Sequence, residues 1–546
     1  MKKTAAILVA LCLVITSFSS CTLFDKGTGK NLFYPVYSDT SSFDPQIASD
    51  EASRIIAENC FEGLVKYDRD GVIVPGAAKS WEISSDGLVY TFHIDPQAKW
   101  HIGEKAFEVL KKYSSGEFNS SVLAEDFVFG MRRYFDPETN AGADSRLYLV
   151  ENASEVATGS KTPSELGVTA VDTLTLQIKL ESPCDTFLSA LTTGATMPCR
   201  EEFFLATKGR YGLSTEYIIC NGAFYLSDHS DGTYIQMSKN NDYKNADSVM
   251  PANVYLYVNS SEESRINKLE TGVYDACPLN VEGKMQIKEK KISYISYLNS
   301  IWAFCFNCSG EVFSSSEMRG AVCRSIDVAK LDIPDYAVGY ADGFVPDVCM
   351  VGDKTYRSLA GTASGLKFEP EMSREMFEQG LKKLGRTSVE ITLLCPTDLD
   401  DGMRKLVQDW QKNLGMSITI KIEPLSVEEI NARIANDDFD VAFTCTNTDF
   451  ESAADYLASF TQSGNYRIFN YTSLNFDDAV KEASYAYNAS DMAQKCKIAE
   501  ENILQNGVAY PVFDEEAYLA LAENVSGIYL TRAGTVPVFA GGKRVD

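Results

Sequence analysis

The chain has 546 residues, 45% of them hydrophobic, which is material for more than one core and excludes general disorder. Its 50 lysines and arginines against 76 aspartates and glutamates leave a formal charge of −26, which repels nucleic acid and anionic lipid. Beyond the N-terminal segment no apolar run reaches the roughly 18 residues of a membrane span.

The N-terminus reads as an export signal. Lys2 and Lys3 precede the apolar Ala5–Ile15, and the small Ser19 and Ser20 stand directly before Cys21. Two outcomes fit. One is a lipoprotein signal of residues 1–20, with Cys21 lipidated as the first mature residue. The other is an ordinary secretory signal with an incidental cysteine. The position of Cys21 after small residues favours lipidation, which would hold the body to a membrane from outside the cytoplasm. Residues 21–30 read as a tether.

All cysteines but Cys12 and Cys21 lie in the body of the chain, and their spacing is irregular. Cys305 and Cys308 have CxxC spacing but sit at an apolar run with no second CxxC, so no zinc site is expected. These thiols read as small buried side chains.

Phe43-Asp44-Pro45 is a turn signal, followed by helical Ile55, Ile56 and Cys60. Asp70-Gly71 and Asp86-Gly87 predict hairpins, with Leu88, Tyr90, Phe92 and Ile94 alternating after the second. Phe127, Met131 and Tyr134 suit a helix, and Leu174, Leu176, Ile178 and Leu180 share one strand face. Asn221–Tyr225 opens another hairpin, turned at Asp231-Gly232.

The segment up to Asp449 has the most specific pattern. Val389, Ile391 and Leu393 alternate as a strand. Met403, Leu406, Val407, Trp410 and Leu414 follow helical spacing up to Gly415. Ile418, Ile420 and Ile422 form a second strand. Ser426 and Glu429 make a capping box, and Phe439, Val441 and Phe443 alternate as a third strand. This order predicts a parallel sheet with crossover helices, whose ligands bind beyond the carboxyl ends of the strands. Asp449 stands there. Thr448 and Glu451 also fit a capping box, which would make Asp449 a first-turn residue of the next helix; ligand contact and helix start stay open together.

Catalytic constellations are absent from the sequence. His93, His101 and His229 are far from any GxSxG, and there is no HExxH helix or GxxxxGK loop. Asp437-Asp438 reads as a solvated turn rather than an acid/base pair. No enzyme activity, cofactor or metal is expected. Phe304 and Phe306 read as core, whereas Trp302 and Ala303 could line a cleft.

Blocks along the chain resemble extracellular solute-binding protein family 5, the receptors of peptide-importing ABC transporters. They are Ser42–Pro45, Phe61-Glu62-Gly63-Leu64, Pro75–Trp81, Tyr90-Thr91-Phe92 with Trp100, Ala124–Phe127, Asn221–Tyr225 with Tyr243, Met318–Val322 with Ile326-Asp327, and Tyr510–Phe513. Asp449-Phe450 matches the last two residues of the family's Gly-Trp-x-x-Asp-Tyr pattern; Cys445 and Thr446 stand in its Gly and Trp places.

The resemblance implies a two-lobed α/β fold of the periplasmic-binding-protein type II, with a satellite domain and a hinged central cleft. It implies lobe I over residues 31–61, 183–300 and 513–546, the satellite over 62–182, and lobe II over 301–512. It further implies a monomer that faces the periplasm or cell exterior and delivers oligopeptides to permease subunits. Asp449 would take the peptide's α-ammonium, with Phe450, Thr446, Asn221, Gly222, Trp302 and Ala303 around the ligand. A surface peptide sensor or adhesin, or a receptor for nickel, haem or a sugar, are the alternatives on the same fold.

Overall fold

A seven-stranded sheet joins the two lobes. The computed structural model describes residues 30–113, 117–139, 141, 145–331, 333–448, 452–462, 464, 468–531 and 536–545, so Cys21, Asp449 and Phe450 lie outside the described residues. The sheet's strands, in chain order, are β1 (Ala276–Leu279), β2 (Ser293–Phe306), β3 (Ala337–Tyr340), β4 (Val389–Pro396), β5 (Ile418–Leu425), β6 (Val441–Asn447) and β7 (Ala509–Leu521). Side by side they run β1, β7, β2, β6, β4, β5, with β3 paired to β7.

β4, β5 and β6 are the three strands expected from the alternating pattern, and they are parallel to one another. Helix α1 (Asp400–Leu414) crosses between the first two and stops at Gly415, whose φ of 94° suits a residue without Cβ. Helix α2 (Val427–Ala435) makes the second crossing and starts on the Ser426–Glu429 capping box. The sheet is nevertheless mixed, because β6 turns its other edge to β2 in antiparallel register, Ser300 to Asn447 and Phe306 to Val441.

One expectation fails at the next helix. Helix α3 (Ala453–Ala458) is capped by Ser452, which accepts the Asp455 N–H, not by Thr448. The Thr448 N–H is already bound to the Asn299 carbonyl at 3.1 Å, so Thr448 continues the ladder of β6. The acid of the helix's first turn is Asp455.

β2 and β7 each reach three cores, one in the first lobe and two in the second. Tyr518–Leu521 of β7, with Tyr294 and Ile295 of β2, pack into the core of the first lobe. Further along, Ala303, Cys305 and Ala509 enter the core on one face of the second lobe. Trp302, Phe304, Phe306, Val512 and Phe513 enter the core on the other face. This is the period-2 alternation of a strand buried on both faces. Between the first lobe's core and those of the second the β2–β7 ladder slips at Tyr297–Ser300, and it slips again inside the second lobe at Trp302–Ala303.

The first lobe carries two four-stranded sheets over one continuous core. One orders Asn31–Val36, Asn253–Val258, Tyr234–Lys239 and Phe224–Ser230, and the other Ala78–Ile83, Val89–Ile94, Thr175–Lys179 and Val168–Asp172. The hairpin glycines Gly71, Gly87 and Gly232 all have φ between 66° and 74°. Tyr90, Phe92, Leu176, Ile178 and Leu180 are buried, as their alternation requires.

Buried polar groups join distant parts of this lobe. Asn221 donates its Nδ2 to the Glu62 carbonyl at 2.8 Å and accepts the Glu62 N–H at 3.0 Å. The Glu62 carboxylate takes Lys66 at 2.6 Å and the Tyr243 hydroxyl at 2.5 Å. Asp126 receives the Trp100 Nε1–H at 2.9 Å and pairs with Arg200 at 2.8 Å. Asp44 pairs with Arg133 at 2.6 Å.

In the second lobe the corresponding centre is Glu500, on the helix Ala489–Gln505. Its wholly buried carboxylate accepts the Phe344 and Val345 N–H groups at 2.6 and 2.8 Å, the Tyr356 hydroxyl at 2.7 Å and the Arg357 guanidinium at 2.7 Å. Removing this acceptor strands an arginine and two backbone donors in the core. Glu500→Ala is therefore expected to cost about 3–5 kcal/mol in urea denaturation. A loss below about 1 kcal/mol would mean that water replaces the carboxylate freely.

Candidate functional site

The site lies where β2 and β7 pass from one core to the other. At the slip in the ladder the Leu298 and Asn299 carbonyls leave β7 and accept the Val348 and Thr448 N–H groups, each at 3.1 Å. Met350 bridges to Ser452. The carboxyl end of β6, the start of α3 and the loop around Val348 thus converge on the slip.

The lobes touch beside it. Arg146 of the first lobe reaches Asp455 at 3.7 Å, with both side chains buried. The Asp185 N–H donates to the Tyr487 carbonyl at 3.2 Å. At Gly352, whose φ is 61°, an added Cβ would lie 2.7 Å from the Thr186 methyl. Glycine there permits the close approach.

The acidic residues Asp514, Glu515 and Glu516 lie in β7 at this crossing. Burial, reinforced by Asp347 and Asp342, pushes the Asp514 carboxyl up to about 7, against the pull of Arg357. The Arg357 guanidinium is held by Glu500, which leaves little positive charge for Asp514. Burial likewise raises Glu515, which takes the Trp302 Nε1–H and faces Glu282 and Asp398. Burial also raises Glu282, with Asp398 and Glu262 adding to it. Carboxylates outnumber cations here, an arrangement that stabilises an incoming positive group.

The residues singled out from the sequence take separate positions. Trp302 is buried, its ring stacked between Phe443 at 5.6 Å and Phe513 at 5.7 Å. Ala303 is fully buried on the opposite face of β2. Thr446 is also fully buried, donating to the Ile301 carbonyl and accepting the Tyr456 hydroxyl, both at 3.2 Å. Asn221 is committed to Glu62, and the Gly222 N–H to the Cys60 carbonyl at 2.9 Å. Asp449 and Phe450 lie outside the described residues, between the end of β6 and Ser452. The acidic residues of β7 were missed; three acids inside an alternating strand pattern were the available signal.

Among the described residues one group has the composition of a metal site, Asp39, His229 and Asp231. Its geometry is that of ion pairs. Nε2 of His229 faces Asp39 at 3.0 Å, whereas Nδ1 on the other ring edge faces Asp231 at 3.5 Å. His101 contacts Asp242 at 2.9 Å and packs on Tyr225, and His93 lies 3.7 Å from Glu82.

The model of the family described as bacterial extracellular solute-binding proteins, family 5, middle, matches residues 72–467. The chain belongs to this family. It is 25% identical over 493 residues to the dipeptide-binding protein of Lactococcus lactis, covering 86% of this chain and 85% of that one. To the periplasmic oligopeptide-binding protein OppA of Haemophilus influenzae it is 25% identical over 485 residues, covering 87% and 86%. The fold superimposes on Listeria monocytogenes OppA bound to peptide with a TM-score of 0.72, at 21% identity, over 95% of this chain and all of that one. The two-lobed α/β architecture is that of these neighbours. Among the described residues no helix is long and apolar enough to cross a membrane.

The raised carboxyl of Asp514 makes stability depend on pH. The folded protein holds this proton up to about pH 7, whereas the unfolded chain releases it near 3.8. The group's contribution is full below 3.8 and is lost as pH rises through about 7. Asp514→Asn, which fixes the neutral form, should gain melting temperature over the native protein progressively across that window and level off above it. A difference independent of pH between 4 and 8 would show that Asp514 is ionised normally.

Proposed function

We propose that this family 5 protein is a receptor that closes its two lobes on a peptide, with oligopeptides as the ligand class, and presents it to the permease of an ABC importer. The observation that carries the reading is the convergence at the crossing of β2 and β7. There the carboxyl end of β6, acidic side chains and both lobes meet. It is supported by relatives whose names specify dipeptide and oligopeptide binding.

The physics of capture follows from that layout. β6 ends beside the contact of the lobes, so an extended peptide laid there can extend the backbone hydrogen bonding of a strand. Backbone pairing gives affinity without demanding a sequence. The excess of carboxylates favours a ligand that brings positive charge, as the α-ammonium of a free peptide does. We assign that ammonium to Asp449, which follows β6 in the chain and precedes the cap of α3. The body of the receptor binds and releases its ligand unchanged. Cys21 carries the lipid that keeps the receptor outside the cytoplasm, and residues 31–61, 183–300 and 513–546 form lobe I, 62–182 the satellite and 301–512 lobe II. The receptor acts as a monomer, because one chain supplies both walls of the cleft.

The test is a four-way calorimetric cycle of native protein and Asp449→Asn against a free peptide and its N-acetylated form. If the carboxylate holds the ammonium in a closed cleft, the substitution weakens the free peptide by about 2–5 kcal/mol and the acetylated one much less. Equal losses for both peptides would remove Asp449 as the anchor. Turnover of the peptide, abolished by a substitution in the cleft, would overturn the receptor reading itself.

A further inference from the structure

The chain carries 14 cysteines, an unusual load for a protein exported to an oxidising compartment. Several of its thiols are engaged with groups other than sulfur. Cys305 and Cys308 donate to the carbonyls of Ala303 and Phe306, Cys323 lies 3.9 Å from the Gly507 carbonyl, and Cys184 meets the Thr186 hydroxyl. Cys199 lies against the Arg133 guanidinium. Cys60 is different: besides burial, it is the neighbouring Cys220 thiol that pushes its own thiol up.

The surroundings hold these two residues together. Cys60 ends the helix Glu51–Cys60 and is fully buried; Cys220 is buried too, in a bridge to His101. The Gly222 N–H donates to the Cys60 carbonyl at 2.9 Å. The two backbones run so close that a Cβ on Gly222 would stand 2.6 Å from the Cys60 carbonyl carbon and 2.7 Å from the Phe61 nitrogen. The two-point clamp of Asn221 on Glu62 fixes the same pair of segments from the next residue on each side. The chain between residues 60 and 220 includes the whole sheet of Ala78–Ile83, Val89–Ile94, Thr175–Lys179 and Val168–Asp172. Cys60 and Cys220 therefore lie on either side of that sheet in the chain, Cys60 before it and Cys220 after it.

We propose that Cys60 and Cys220 are a disulfide-forming pair, closed as the chain folds in an oxidising compartment, where the bond staples together the segments that precede and follow the inserted sheet. The oxidant is the disulfide of a thiol–disulfide oxidoreductase or of glutathione. One cysteine thiolate attacks that disulfide and forms a mixed disulfide, releasing one thiol. The second cysteine thiolate displaces the remaining thiol, so that one S–S bond forms, one is reduced, and both cysteine protons pass to solvent or to the leaving thiolates. Burial pushes the Cys60 thiol up once the protein is folded, so exchange belongs to the folding chain, and the finished bond is shielded from reductants. A loop of this length gives the crosslink a large entropic effect on the unfolded chain.

The pairing is tested on the full chain, refolded in a glutathione redox buffer, quenched with acid, alkylated in denaturant and digested without reductant. The expected product is a peptide containing Cys60 linked to one containing Cys220, with Cys305, Cys323 and Cys496 alkylated. Its melting midpoint should fall on reduction in denaturant, whereas Cys60→Ser and Cys220→Ser should melt alike with and without reductant. Complete alkylation of Cys60 and Cys220, or linkage of either to another cysteine, would overturn the proposal. The same mapping on protein taken from the cell envelope tests the export on which the cellular part rests. A bond found after refolding but missing there contradicts export and leaves the pairing standing.

Discussion

The constraint on which the molecule depends is that two strands, β2 and β7, must satisfy two lobes at once. Their outer halves are built into the first core and their inner halves into the two cores of the second lobe. Buried backbone groups require partners. Along most of their length β2 and β7 provide these for each other, but the ladder slips between Tyr297 and Ser300. The Leu298 and Asn299 carbonyls are taken by Val348 and Thr448 of the second lobe instead. A pair of strands with a break in its ladder can bend at low cost, while the packed halves on either side stay rigid. Bending there changes the distance between lobes without disturbing any core, which is what a hinge requires.

Within each lobe, buried carboxylates paired with groups from distant segments tie the chain together. Glu500 collects two backbone donors, a phenol and a guanidinium, and Asp126, Asp44 and Glu62 do the equivalent in the first lobe. Such groups add little net stability over apolar packing, but losing one partner is costly, so they fix which segments meet. Three of the sequence blocks that resemble the solute-binding family hold such groups, Asp44, Glu62 and Asp126, and Glu62 is clamped by Asn221 and Tyr243 of another block. The carboxylates at the crossing are under-compensated by comparison, which fits a surface kept for something else to bind.

Local periodicity made much of this legible. The alternation of Val389–Leu393, the helical spacing of Met403–Leu414 and the Ser426–Glu429 box have their counterparts in β4, α1 and α2, because each signal is set by neighbours within a few residues. What escaped was decided at long range. β6 was expected among parallel strands, but its partner β2 precedes it by more than a hundred residues and runs the other way. The cap signal read at Thr448–Glu451 is not the one α3 uses, since the helix starts later, on Ser452, and the Thr448 N–H is bound to the Asn299 carbonyl of a strand far away in the sequence. Glu500 gave no sign of its burial, since nothing in its own helix reveals that a loop from residues 342–357 closes over it. Trp302 read as a cleft residue by position, and the structure stacks its ring between Phe443 and Phe513 while its N–H reaches Glu515 at the crossing.

The central claim is that ligand capture and lobe closure are one event, made possible by the broken ladder of β2 and β7. Small-angle X-ray scattering of the protein, freed of ligand by unfolding and refolding, tests it directly when measured with and without a saturating mixture of free peptides. Closure on the ligand gives a smaller radius of gyration with peptide bound, with retention of the peptide verified by native mass spectrometry. An unchanged radius with peptide retained, or no peptide retained at all, would contradict it.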